Sequence, residues 1–139
     1  MILFNYETEF KLDDESCYKS WIQRIISSES KQLAELNYIF CDDDYLHQLN
    51  VQYLDHDTLT DIISFDYSEG VFISGDIFIS IPRVLDNTKE FDVSFQDELL
   101  RVMSHGILHF CGYNDKTKDE AKFMRLKEQE KINMFHVEH

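Results

Sequence analysis

The sequence predicts an α+β fold, with a single domain over residues 1–139 in which a small mixed β-sheet packs against helices. Three observations support this prediction. A chain of 139 residues, 43% of them hydrophobic, has the size of one domain and enough apolar side chains for a core. Strand-like and helix-like segments alternate in its first half, and three helical segments follow. The second of these three helices carries two histidines one turn apart.

Four segments predict strands because β-branched and aromatic residues dominate them. They cover residues 2–10, 36–41, 61–66 and 75–81. A turn-like Ser-Glu-Gly sequence lies between the last two segments, so we expect these strands to be consecutive in the chain.

Two helices are expected between the strands. Asp13 and Asp14 are placed to cap a first helix that runs to Lys31, with apolar residues spaced three and four apart. The acidic run 42–44 is placed to cap a second helix. We favour this role over metal binding because acidic side chains stabilise a helix start.

Three more helices follow the last predicted strand. Pro82 begins a short one, since proline is tolerated in a first helical turn. A longer helix is expected from about Ser94 to Phe110, and Asp97 and Glu98 give it an acidic first turn. The last helix is predicted from Thr117 to near Ile132. The complete order is then β-α-β-α-β-β-α-α-α.

Composition limits the function classes. No apolar run approaches the roughly 20 residues of a membrane span, and residues 1–10 lack the basic and apolar regions of a secretory signal. We therefore expect a cytoplasmic protein without membrane association. Its cysteines are odd in number and widely spaced, which indicates reduced thiols; they are Cys17, Cys41 and Cys111. A net charge of −14 argues against nucleic-acid binding driven by bulk charge.

The candidate chemistry lies in residues 105–115. His105 and His109 are spaced i, i+4, so both imidazoles project from one face of the predicted helix. Gly112 can end this helix in a left-handed conformation, and the turn could return Asp115 to the same point. Two nitrogens and one carboxylate oxygen leave a fourth position open, which is typical of catalytic zinc. Cys111 would point away from the histidines and is expected to be a small packing residue.

Each of the other four histidines stands alone in the sequence. A lone histidine is usually a surface or core residue rather than a metal ligand, and we expect the last two to lie on a frayed tail. These residues are His47, His56, His136 and His139.

Several ordered motifs lie between about residues 35 and 125. Residues 105–114 read H-G-I-L-H-F-C-G-Y-N, and Glu98-Leu99 precede them. Upstream, Asn50 and Tyr53 are followed by T-D-I-I-S-F at 60–65 and G-D-I-F-I-S at 75–80. These motifs resemble the YbeY family of metal-dependent endoribonucleases associated with ribosomal RNA maturation. That family carries N-x-x-Y-R, T-D-V-L-S-F-P, G-D-I-x-I-S and H-G-x-L-H-L-x-G-Y-D-H in the same order.

The resemblance implies a single-strand endoribonuclease that acts in ribosomal RNA processing and ribosome quality control. It implies one zinc ion, or another divalent metal, and RNA or the ribosome as partner. Asp61 and Ser64 lie in the matched block and are candidates to line the cleft. Asp61 could equally be a strand-end residue, and the Ser64 hydroxyl could equally satisfy a backbone group. No general base is assigned.

Three positions depart from the family pattern. Asp115 replaces the family's third histidine; a carboxylate is a competent zinc ligand but favours harder metals. Leu54 replaces the arginine that the family associates with nuclease activity, a role that fits phosphate contact, so a slower reaction is expected. Asp66 replaces the proline after Ser-Phe.

Two other functions remain open. The site also resembles the metzincin protease motif H-E-x-x-H-x-x-G-x-x-H/D, so a metalloprotease-like hydrolase is one alternative. Gly106 replaces the glutamate that serves there as general base, which argues against peptide hydrolysis. The other alternative is a catalytically weak, ribosome-associated factor, which Leu54 favours.

The net charge is unevenly distributed along the chain. Residues 1–101 hold 7 basic and 21 acidic residues, whereas residues 102–139 hold 6 of each. The six basic residues follow Asp115 directly: Lys116, Lys118, Lys122, Arg125, Lys127 and Lys131. We consider the first four as candidates to face RNA, with a solvated helix as the equal alternative. Any RNA binding is expected to be weak, local and dependent on a partner such as the ribosome.

Overall fold

The structure, a computed structural model, describes residues 1–54 and 60–138. Within these residues the element order is the one that the sequence predicts. The elements are β1 (Ile2–Tyr6), α1 (Glu15–Ser28), β2 (Gln32–Cys41), α2 (Asp43–Leu54), β3 (Ile62–Asp66), β4 (Phe72–Ser80), α3 (Ile81–Phe91), α4 (Phe95–Phe110) and α5 (Lys118–Glu138).

The four described strands form one mixed sheet in the order β1-β2-β4-β3. β1, β2 and β4 are parallel neighbours, and β3 pairs antiparallel with β4. Parallel neighbours need crossover connections; α1 supplies the one from β1 to β2. β3 lies at the edge of the sheet. The predicted α+β class with a small mixed sheet is therefore confirmed.

The two faces of the sheet carry cores of different size. On the larger side α1, α4 and α5 bury side chains such as Trp21, Ile77 and Leu100. On the other side a small cluster of Cys41, Leu46 and Ile63 lies between the sheet and α2. α4 is mainly buried and lies on the large-core face, so its histidines are held by a rigid element.

The predicted helix caps are mostly confirmed. The Asp14 carboxylate accepts hydrogen bonds from the backbone of Ser16 and Cys17. The structure adds a cap at α4, where the Ser94 side chain accepts a hydrogen bond from Asp97 N. In the acidic run 42–44, Asp42 alone caps, through Tyr45 N at 2.9 Å.

Asp43 has another role in this run. It accepts a hydrogen bond from the hydroxyl of Ser80 at 2.7 Å and pairs with Arg83 at 3.1 Å. It thereby links α2 to the start of α3.

Several predicted boundaries are wrong. β1 ends at Tyr6 rather than at residue 10, because the chain turns where Phe10 N bonds Thr8 O at 2.8 Å. α1 ends at Ser28 rather than at Lys31, since Ser30 takes a φ of 59° that interrupts the helix.

The starts of β2 and β4 are also earlier than predicted. β2 begins at Gln32 rather than at residue 36, and β4 begins at Phe72 rather than at residue 75. The two early segments pair with each other, Gln32 opposite Phe72. Pairing with a distant strand extends both.

The last helix continues to Glu138, beyond the predicted end near Ile132. Phe135 is buried with its ring edge-on to Trp21, at 5.6 Å between centroids. His136 pairs with Asp97 of α4 at 2.6 Å. The expected frayed tail is therefore wrong for His136, whereas His139 lies outside the described residues.

Two further sequence expectations concern cysteines and membrane spans. Cys17, Cys41 and Cys111 are all free thiols. Among the helices of residues 1–54 and 60–138, none combines the length and apolar character needed to cross a membrane.

Candidate metal centre

The two histidines of α4 converge at one point. His105 and His109 lie one turn apart, both half-buried, with their rings at 84° and 4.4 Å between centroids. Their Nε2 atoms are 2.9 Å apart. The helical spacing thus brings both imidazoles together as the sequence predicts.

The turn after α4 returns a carboxylate to the same point. Gly112 has a φ of 104°, a value that L side chains rarely adopt, and its N–H donates to His109 O at 3.0 Å. Tyr113 N donates to Leu108 O at 3.0 Å and completes the turn. Asp115 Oδ2 then lies 3.3 Å from Nε2 of each histidine.

Each histidine has its other nitrogen engaged by an acceptor. His105 Nδ1 lies 2.6 Å from Glu128 Oε2, and His109 Nδ1 lies 2.9 Å from the carbonyl oxygen of Tyr113. An acceptor at Nδ1 fixes the proton there and leaves the Nε2 lone pair free. Both free lone pairs therefore point at the space beside Asp115 Oδ2.

The three donor atoms fit a tetrahedral metal ion. Ligand bonds of about 2.0–2.1 Å to zinc, at tetrahedral angles, put neighbouring ligand atoms about 3.4 Å apart. The two separations that involve Asp115 Oδ2 are 3.3 Å and match this value, whereas the two Nε2 atoms, 2.9 Å apart, lie closer together than tetrahedral ligands do. Two bare nitrogen lone pairs and a carboxylate this close repel one another unless a cation lies between them. In residues 1–54 and 60–138, no other three His, Cys, Asp or Glu donors converge in this way.

A buried ion cluster lies beside His105. Arg101 of α4 forms a hydrogen bond with Glu98 and lies 3.5 Å from Glu128 and 3.6 Å from Asp61. Burial disfavours the charged guanidinium, but the hydrogen bond and charge of Glu98 outweigh it and raise the pKa of Arg101 above its ordinary value. The guanidinium is therefore committed to protein carboxylates.

The two cleft candidates differ in position. Asp61 lines a cavity of 40 Å³ together with Arg101 and His105, and it accepts a hydrogen bond from Asn87 at 3.1 Å. Ser64 lies in β3 opposite Ile77 and is half-buried, and it does not line that cavity. The structure therefore brings Asp61, but not Ser64, beside a candidate ligand.

The six basic residues after Asp115 divide into two groups. Lys127 and Lys131 pair with Glu29, at 3.2 and 2.8 Å, and so belong to the packing of α5. The other four are exposed, and the Arg125 guanidinium lies 5.8 Å from the Phe91 ring centre. These four are the residues proposed from the sequence to face RNA: Lys116, Lys118, Lys122 and Arg125.

Most of the remaining positions from the sequence can be located, among them His47, which is half-buried in α2. Cys111 is half-buried at the end of α4, and burial raises the pKa of its thiol to about 11. Its sulfur does not belong to the group of converging donor atoms that His105, His109 and Asp115 form. Leu54 ends α2 with 42% of its surface exposed, and Asp66 accepts a hydrogen bond from Ser68 N at 2.9 Å. His56 lies outside the described residues.

The comparisons with known proteins agree with this architecture. The family model "Endoribonuclease YbeY" matches residues 3–136.

The chain belongs to the YbeY family.

It is 64% identical over 138 residues to "Endoribonuclease YbeY" of Flavobacterium johnsoniae, with 99% of each chain covered. It is 53% identical over 137 residues to "Endoribonuclease YbeY" of Christiangramia forsetii, covering 99% of this chain and 96% of that protein. Its fold is similar to the solution structure of TM1509 from Thermotoga maritima. That match has a TM-score of 0.69 and 26% identity, and covers 99% of this chain and 91% of the other.

The family resemblance drawn from the motifs is thus confirmed, and with it an endoribonuclease family, whose substrate is RNA. The sequence reasoning missed Glu128, although a signal was present. Met124, Glu128 and Ile132 are spaced four apart, so Glu128 lies on the apolar stripe of α5 and is 2% exposed. A carboxylate within such a stripe needs a buried partner, which here is His105.

Proposed function

We propose that this member of the YbeY family is a metal-dependent single-strand endoribonuclease that works in the cytoplasm on ribosomal RNA processing and ribosome quality control. The observation that carries the metal dependence is the convergence of His105 Nε2, His109 Nε2 and Asp115 Oδ2 with both Nδ1 atoms engaged elsewhere. Family membership supports RNA as the substrate.

In this proposal His105, His109 and Asp115 hold one zinc ion, or another divalent ion. When bound, such an ion supplies a Lewis acid for a phosphoryl oxygen or for the attacking water. Glu128 and the Tyr113 carbonyl keep both histidines in the tautomer that can ligate. Asp61 lies beside His105 at the cavity, where it can orient a substrate group.

The buried cluster around Arg101 does not supply a cation for the scissile phosphate. Arg101 is engaged with three carboxylates, so it is not free to clamp a phosphate. The position of the family arginine is Leu54, which has no donor. We assign this contact to the exposed cations of the segment after Asp115, and these number only four. Weak RNA binding and help from a ribosomal partner follow from this.

Metal analysis together with RNA cleavage tests the proposal. Purified protein should contain about one equivalent of metal and should cleave RNA at single-stranded positions. The His105→Ala/His109→Ala double variant should lose both the metal and the cleavage. His136→Ala is the matched control, because it removes a histidine that pairs with Asp97 instead. A double variant that keeps full metal stoichiometry would overturn the metal site.

Two substitutions toward the family pattern sharpen the test. Asp115→His should preserve metal binding and shift preference toward zinc, since imidazole is the softer ligand. Leu54→Arg should increase the cleavage rate if the missing donor limits the reaction. Ribosome binding by a protein that cleaves no RNA with any divalent metal would instead favour the catalytically weak factor.

The metalloprotease alternative receives no support from the site. A Cβ atom at Gly106 would lie 2.9 Å from Ile77 Cδ1 and 3.3 Å from Ile62 Cδ1, so this position faces the sheet at close range. The glutamate of the protease motif has no room there. A metal-dependent peptide cleavage that His109→Ala abolishes would favour the metalloprotease over the endoribonuclease.

A further inference from the structure

A second cluster of buried charges surrounds Glu29, the residue at the C-terminal end of α1. The Glu29 side chain is 10% exposed. Its Oε2 atom lies 2.8 Å from Lys131 Nζ and 3.2 Å from Lys127 Nζ, both of α5. Its Oε1 atom accepts the hydroxyl hydrogen bond of Tyr113 at 2.5 Å. One carboxylate thus joins α1, α5 and the turn after α4.

The cluster is anchored on both helices. Lys131 is 1% exposed and also donates to Ser28 Oγ at 2.9 Å. The Trp21 indole N–H donates to Lys131 O at 2.7 Å, so α1 and α5 are joined by a backbone acceptor as well as by charge. A buried hydrogen bond to a charged group is stronger than a neutral one. The Glu29 carboxylate is therefore held in place and can orient the groups that hydrogen-bond to it.

Tyr113 connects Glu29 to two candidate ligands. Its hydroxyl donates to Glu29, its N–H donates to Leu108 O, and its carbonyl oxygen accepts from His109 Nδ1. Asp115 follows two residues later in the same turn. A Cβ atom at the preceding Gly112 would meet nothing within 4 Å, so hydrogen bonds rather than a side chain at that residue hold the turn.

We infer that Glu29, acting through the Tyr113 hydroxyl, is a positioning residue that preorganises His109 and Asp115 for metal. This inference rests on the proposed metal site. A ligand turn that is already ordered loses less conformational entropy when the ion binds. Partners one step beyond the ligands typically contribute 10- to 100-fold to metal affinity. Because Tyr113 acts partly through the backbone, we expect a loss of about tenfold, at the lower end of that range.

Tyr113→Phe is the variant of choice. It keeps the ring, which lies 5.7 Å from the Phe123 ring and 5.6 Å from Lys127 Nζ, and removes only the hydroxyl. It also keeps the pair between Glu29 and Lys131. Glu29→Ala would remove the buried carboxylate of Lys131 and leave it only the exposed Glu130, at 3.0 Å, so this variant would destabilise the packing of α1 against α5.

Tyr6→Phe is the matched control. Tyr6 also donates its hydroxyl to a glutamate, Glu15, at 2.6 Å, and it does so at the start of α1, away from the ligands. Both variants lose one tyrosine–glutamate hydrogen bond, and Tyr6→Phe also loses the acceptor of Leu12 N at 3.4 Å, so any general loss of stability is tested by the control as well. Their zinc affinities should differ.

The experiment measures the dissociation constant of Zn²⁺ by competition with a chromophoric chelator, using the full chain and each variant. Tyr113→Phe should bind zinc about tenfold more weakly than the wild type. Tyr6→Phe should bind as the wild type does. The absorption bands of the Co²⁺-loaded protein should change in Tyr113→Phe alone, because the ligand geometry changes.

Equal zinc affinity in the wild type and Tyr113→Phe would overturn the inference while leaving the proposed function intact. Equal losses in Tyr113→Phe and Tyr6→Phe would also overturn it, because the effect would then be one of general stability. A wild-type protein that binds no zinc and no Co²⁺ would overturn the metal site and this inference together.

Discussion

Two glycines at the contact between α4 and the sheet differ in what surrounds them. A Cβ atom at Gly75 would lie 2.4 Å from the carbonyl oxygen of Phe65 and 2.6 Å from the Phe110 ring. At Gly106 the nearest atom is the flexible end of Ile77, at 2.9 Å. Backbone and a buried ring cannot move aside as easily as the end of a side chain.

Gly75→Ala should therefore lower the free energy of unfolding by about 2–3 kcal/mol through overpacking. Gly106→Ala should cost less than about 1 kcal/mol, because alanine recovers about 1 kcal/mol of helix propensity. Chemical denaturation of both variants checks this. The expectation is wrong if Gly106→Ala is the more damaging of the two.

The cap of α1 predicts a pH dependence. Hydrogen bonds from the Ser16 side chain, and then from Cys17, lower the pKa of Asp14 from 3.8 to about 2. Because the folded-state pKa is lowered, the stability from this carboxylate is present above pH 3.8 and is lost as the pH falls toward 2.

The carboxyl ¹³C shift of Asp14 should titrate near pH 2. Asp14→Asn is the control, since asparagine also caps a helix but does not titrate. Between about pH 5 and pH 2 the wild type should lose more stability than this variant. A titration midpoint near 3.8 would contradict the prediction.

At the scale of single residues, the three candidate metal ligands could be predicted from the sequence. Helical periodicity places His105 beside His109, and a glycine turn accounts for Asp115. The supporting contacts could not be predicted by spacing. Glu128 lies 23 residues from His105, and Glu29 lies 84 residues from Tyr113. Such pairs form only when separate helices pack, so only their unusual burial could have indicated them.

Among the elements, α5 carries more of the fold than its sequence suggests. Its last turns bury Phe135 against Trp21 and Tyr18, at 5.6 and 5.2 Å between ring centres. Phe135→Ala should lower the free energy of unfolding by about 3–5 kcal/mol. Val137 is 84% exposed on the same turn, so Val137→Ala should change it by less than about 0.5 kcal/mol.

Thermal and denaturant unfolding of the two variants provide the measurement. Equal stabilities would show that the end of α5 does not pack in solution.

The packing of α5 also explains why its predicted end is wrong. The hydrophobic pattern of α5 is weak, and its continuation past Ile132 depends on contacts with α1 and α4.

Strand limits show the same dependence on distant partners. The centre of β2 has a clear strand composition, but Ala34 and Glu35 near its start are residues that strands disfavour. They become strand because β4 lies alongside them. The type and order of the elements can be predicted from the local sequence pattern. The ends of the elements cannot, because they depend on pairing with distant segments.

For the whole molecule, the charge distribution reconciles an acidic protein with an RNA substrate. The net charge of −14 belongs entirely to residues 1–101. Of the six basic residues after Asp115, Lys127 and Lys131 are paired with Glu29. This leaves a small group of four exposed cations on the segment that starts at the candidate metal centre: Lys116, Lys118, Lys122 and Arg125.

RNA affinity should therefore depend on salt, but only shallowly. Each phosphate contact to single-stranded nucleic acid contributes about −0.7 to the slope of log K against log salt, so four contacts give about −3. Lys118→Ala/Lys122→Ala should make the slope shallower by about 1.4. Lys11→Ala, an exposed lysine before α1, should leave it unchanged.

Fluorescence anisotropy with a single-stranded RNA, in a His105→Ala/His109→Ala background that prevents cleavage, measures these slopes. An unchanged slope in the double lysine variant would place the RNA on another surface. Tight binding that is insensitive to salt would contradict the role of these cations altogether. A shallow slope that steepens when the RNA is presented on ribosomal subunits would indicate that the partner supplies the missing positive charge.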